Sequence, residues 1–150
     1  TTYEIAGLVY VRGGATLTIQ PGTIILGSNR FANSTLIITQ GAKIMAEGTP
    51  AKPIVFTSQY TPGFRAPGNW GGVIILGNAH YNGTSAAGTP TPSTYGVNYV
   101  EGITPVNSAT QSTQYGGGAT PNDADNSGVL KYVRIEYGGD VFHRMLKLTD

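Results

Sequence analysis

The densest run of oxygen-bearing side chains in the sequence is Asn122-Asp123-Ala124-Asp125-Asn126-Ser127-Gly128. Asp123, Asp125 and Ser127 are spaced like the opening of a calcium-binding loop, in which alternate side chains turn toward one hard cation. The pattern lapses at the twelfth position, where Arg134 stands in place of the bidentate Glu such a loop requires. Glu101 completes the set only if the intervening segment folds back. Calcium is the one cofactor these residues suggest, and an Asx-rich turn leading into a strand is the simpler account of them.

Carboxylate chemistry on polysaccharides needs its acids clustered, either as a pair flanking a glycosidic bond or as a group holding Ca²⁺ beside a basic residue. The chain has eight Asp and Glu among 150 residues, and no two are adjacent. This dispersal points away from an enzyme. His80 and His143, the two histidines, lack a second ligand at metal-binding spacing, and zero cysteines exclude disulfides and thiolate metal sites. Aromatic rings are better supplied: Tyr81, Tyr95, Tyr99 and Tyr115 lie in one polar region, where they can stack on sugar rings or anchor a protein partner. Trp70, between glycine-rich corners, is expected to pack that region onto the wall of the fold.

What positions these residues is a repeat. Thr16-Leu17-Thr18-Ile19-Gln20-Pro21-Gly22-Thr23-Ile24-Ile25 aligns with Thr35-Leu36-Ile37-Ile38-Thr39-Gln40-Gly41-Ala42-Lys43-Ile44, so that Leu17/Leu36, Ile19/Ile38, Gly22/Gly41 and Ile25/Ile44 stand 19 residues apart. Leu-x-Ile has the period of two that places both side chains on one strand face, and the Gly three residues on permits a corner. A unit this short cannot bury its apolar face alone, so units must stack. The expectation is a ladder with Leu17 beneath Leu36 and Ile19 beneath Ile38. Further strands are expected at Glu4 to Arg12, Pro53 to Thr57, Trp70 to Leu76 and Val129 to Tyr137.

Residues 78–127 interrupt the rhythm, being rich in Gly, Ser, Thr, Asn and Pro, with strand character only at Tyr99-Val100-Glu101-Gly102-Ile103. The chain therefore reads as a single all-β domain over 1–150: stacked coils over 1–77, a long polar insertion over 78–127, and coils resuming over 128–150. Insertions of this kind map to one face of a repeat protein, often its binding face. The chain opens at Thr1 without a leader and closes in the strand-like Leu146-Lys147-Leu148-Thr149-Asp150. The expectation is the N-terminal part of a longer protein, or copies stacking by their coil ends into an oligomer or filament.

With 11% charged residues and a net charge of +1, the chain lacks the clustered basic face that nucleic acid or anionic lipid requires. Apolar runs such as Val73-Ile74-Ile75-Leu76 fall far short of the roughly 20 residues that span a bilayer.

Five ordered blocks carry a resemblance: Gly14 to Thr23, Gly41 to Thr49, Pro53 to Ser58, Asn69-Trp70-Gly71-Gly72-Val73, and Ser127 to Gly139. The series resembles the start of a family of secreted right-handed parallel β-helix proteins of Gram-negative bacterial surfaces, often exported with a C-terminal sorting domain. The resemblance implies a right-handed parallel β-helix and an extracellular or cell-surface address. It carries over no activity. The reading is thus a surface scaffold or adhesin-like solenoid whose partner is a protein or cell-surface glycan; a carbohydrate-binding or polysaccharide-degrading β-helix is the alternative.

Overall fold

The computed structural model describes residues 1–31, 33–81, 96–103 and 112–139, and every regular element in them is a strand. The first coil consists of β1 (Thr2–Ile5), β2 (Leu8–Val11) and β3 (Thr16–Ile19); the second of β4 (Ile24–Gly27), β5 (Thr35–Ile38) and β6 (Lys43–Glu47). β7 (Ile54–Ser58) and β8 (Gly72–Ile75) begin the third, which an excursion holding β9 (Asn98–Tyr99) and β10 (Gln114–Tyr115) separates from its last strand, β11 (Gly128–Lys131). β12 (Val133–Ile135) starts a fourth.

Equivalent strands pair in parallel, giving three sheets in the orders β1-β4-β7-β12, β2-β5-β8 and β3-β6-β11. The sheets form the three walls of a right-handed parallel β-helix, as the sequence leads one to expect. Alternation within each strand sends Ile5, Ile19, Ile25, Leu36, Ile38, Ile44, Ile54 and Phe56 into one continuous core.

The stacking register differs from the 19-residue ladder. Leu17 lies beside Ile44, while Leu36 lies between Val9 and Val73. Ile19 pairs with Ala46, Ile38 with Val11 and Ile75, and Ile25 with Tyr3 and Phe56. Thr16 to Lys43 and Leu8 to Thr35 each span 27 residues. The 19-residue match relates the third strand of one coil to the second strand of the next, so it sets a Leu-x-Ile strand against its copy on a different wall. The residues still fill the core, and Gly22 and Gly41 both hold corners at φ near +77° (78° and 76°). Composition of one strand type is therefore shared across walls, and the register is decided by corner length.

Corners also cut two expected strands in half. Gly7, at φ 70°, turns the chain between β1 and β2. Tyr132, at φ 48°, is the whole corner between β11 and β12; its carbonyl and that of Lys131 accept the N–H groups of Ile54 and Gly48 at 3.0 and 2.8 Å. Trp70 departs from expectation in a different way. It lies inside the helix at 1% exposure, stacked on Phe56 at 6.5 Å and donating its indole N–H to the Glu136 carbonyl at 2.8 Å.

Each edge of the prism has its own character. Along the first, the corners are residues 6–7, 28–34 and 59–71; along the second, 12–15, 39–42 and the excursion 76–127; along the third, 20–23, 48–53 and 132.

Candidate functional site

The excursion is held on the outside of the β2-β5-β8 wall. β5 shows why: Leu36 and Ile38 face the core, yet Ile37, which points outward, has 0% exposure. Leu76 and Ile103 bury it, with Tyr10, Ile74, Val100 and Tyr115 packed around them. Burial raises the Tyr10 hydroxyl above its ordinary pKa. The run Leu36-Ile37-Ile38 carried the signal, since unbroken apolar sequence marks a strand covered on both faces.

Gln40, at the second-edge corner of the coil beneath, ties the two ends of the excursion together. Its side-chain NH₂ donates to the carbonyls of Gly77 (3.0 Å) and Gly116 (2.9 Å), while its carbonyl oxygen accepts from Gln114 Nε2 at 3.3 Å. Sequence reasoning passed over Gln40, because no local pattern reports a contact between residues 76 positions apart.

The Asn122–Gly128 turn closes the excursion. Asn122 Oδ1 accepts the Ala124 N–H at 3.1 Å and Asn126 Oδ1 accepts the Gly128 N–H at 2.8 Å, which are Asx turns. Asp125 Oδ2 accepts the Asn78 N–H at 2.8 Å. Asp123 takes the His80 backbone N–H at 2.9 Å on Oδ1 and the ring Nδ1–H at 2.7 Å on Oδ2. These contacts, the backbone N–H first and the ring second, hold the Asp123 carboxyl below its usual range. The two carboxylates of the expected calcium loop thus hold the start of the excursion through Asn78 and His80. Among the described residues, no three His, Asp or Glu side chains are grouped so as to hold a metal ion, so Glu101 does not complete such a group with Asp123 and Asp125. Glu136, a further acid, pairs with Arg134 at 2.8 Å.

Between wall and excursion lies a cleft of about 500 Å³, lined by Ile74, Ile75, Leu76, Val100, Tyr81 and Tyr115, with His80 at its side. Tyr81 and Tyr115 meet edge to face at 5.4 Å, and the Tyr81 hydroxyl accepts from Asn98 Nδ2 at 2.9 Å, so both rings are fixed in place. Of the tyrosines expected at a ligand surface, these two line the cleft; Tyr99 belongs to β9 and is not among its lining residues. Tyr95 and His143 lie outside the described residues. Chemically, the cleft offers an apolar floor, two ring faces or edges and an imidazole–carboxylate pair at the rim.

A family model described as a pectate-lyase-like β-helix domain matches residues 1–147. No curated protein and no solved structure matches the chain.

Proposed function

The chain belongs to the family of pectate-lyase-like β-helix domains, and on that premise we propose that it serves as an extracellular, adhesin-like scaffold that binds a glycan in the excursion cleft. The observation that carries this reading is the pairing of fixed tyrosines with an apolar floor, in a cleft whose neighbouring carboxylates are engaged in holding the backbone. Ring stacking against sugar faces needs rigid, partly exposed aromatics, and a stiff stack of coils presents them without ordering cost at binding. Retardation of the chain in native gels cast with a panel of neutral and acidic polysaccharides tests it. The expected result is retardation by at least one polymer that Tyr81→Ser reduces about tenfold. Mobility unchanged across the panel contradicts it.

A polysaccharide-cleaving activity is the second reading, favoured by the family description together with the His80–Asp123 pair beside the cleft, a geometry in which a carboxylate orients an imidazole.

A further inference from the structure

The first edge of the prism gathers exposed aromatic rings and arginines on its corners. Its corners lengthen from 2 to 7 to 13 residues on successive coils (6–7, 28–34, 59–71). The second and third are bound together: the Gln59 N–H donates to the Gly27 carbonyl at 3.0 Å, and Gln59 Oε1 accepts from Ser28 Oγ and the Asn29 N–H, both at 3.3 Å. On this joined pair of corners stand Phe31, Tyr60 and Phe64, exposed by 56%, 40% and 77%. Arg30 and Arg65 sit beside them, and neither corner contains an Asp, Glu or Lys. Among the described residues neither arginine has a carboxylate partner. Arg65 is held in place all the same, its Nε donating to the Tyr60 carbonyl at 2.8 Å.

We propose that this edge is a protein-docking surface, and that its occupant is an acidic polypeptide segment with an apolar or aromatic side chain set between carboxylates. Exposed aromatics with Arg, in the absence of Lys, Glu and Asp, form the composition that marks the energetic centre of protein interfaces. The guanidinium fork pairs with carboxylates in two parallel hydrogen bonds, and three ring faces supply the apolar contact. A glycan suits the edge less well. Sugar hydroxyls need polar side chains free to bond, and two amides of this edge, Gln59 and Asn69, already have their carbonyl oxygens accepting bonds from the corners themselves. The proposal is independent of the glycan cleft, which lies on another edge.

Random dodecapeptides displayed on phage and selected on the intact chain, with counter-selection on Phe64→Ser, test it. The expected winners carry Asp or Glu on either side of Phe, Trp or Leu. As synthetic peptides they bind at least tenfold more weakly to Phe64→Ser and to Arg30→Gln/Arg65→Gln, weaken with added salt, and are indifferent to Tyr81→Ser. Both variants sit on exposed corners, and an unchanged melting temperature shows that the fold persists. Failure to enrich any peptide, enrichment of basic peptides, or winners insensitive to both variants would overturn the proposal. Retention in alginate gels that the same variants abolish would assign the edge to a polysaccharide and overturn it as well.

Discussion

Gly27 lacks a side chain because Trp70 fills the space: a Cβ built there would fall 2.3 Å from the indole Cγ. The ring has nowhere to retreat, since Phe56 stacks on it and Glu136 accepts its N–H. Gly27→Ala is therefore expected to destabilise the fold by about 1–3 kcal/mol, the usual range for overpacking a tight core, read as a lower denaturation midpoint at unchanged slope. Asp123 makes the opposite kind of prediction, small and dependent on pH. Its carboxyl is held below the ordinary value by the His80 N–H groups, so the stabilisation is complete above about pH 3.9, the usual Asp value. It is lost as pH falls through the lower folded-state value. An NMR titration following the Asp123 carboxyl and the His80 amide together should show them moving in step, at a pH below the ordinary Asp midpoint; an ordinary Asp midpoint contradicts the contact.

At the scale of elements, the strands were legible because alternation and β-branched residues specify them locally, as in Thr16-Leu17-Thr18-Ile19. Their partners were not. A 19-residue match between β3 and β5 looked like a rung, but β3 lies against β6, because the corners between walls differ in length and nothing local records which wall a strand joins. The same blindness hid Gln40 and the identity of the residues that cover Ile37, while the Asn122–Gly128 run was visible for its composition but not for what its carboxylates face. The register can be tested by cross-linking, since the chain has no native cysteine. Thr18 and Met45 are direct neighbours on the outer face of adjacent strands, and the interstrand spacing of about 4.8 Å suits a disulfide. Thr18→Cys/Met45→Cys is expected to oxidise readily to a cross-linked monomer. Thr18→Cys/Ile37→Cys, the pair that a 19-residue rung would bring together, is expected to stay reduced.

Across the whole molecule, one stack of coils serves three edges that do different things. The third edge turns the chain through short corners, in one place with the single residue Tyr132. The second holds an excursion and a tyrosine-lined cleft, and the first presents aromatic rings beside two arginines that have no carboxylate partner among the described residues. A β-helix can divide its labour in this way because corners vary in length without disturbing the ladders beneath them, the parallel pairing of β5 with β8 surviving a 13-residue corner on one side and the excursion on the other. Glycan binding in the cleft without cleavage, as proposed above, is tested most directly by reading both events in one incubation. The chain is mixed with whichever polysaccharide retards it, and bound polymer and newly formed chain ends are quantified over the same time course, with Tyr81→Ser and His80→Ala alongside. Bound polymer is expected to fall with Tyr81→Ser, with no new ends in any sample. New ends that accumulate with the native chain and vanish with His80→Ala would contradict binding without cleavage.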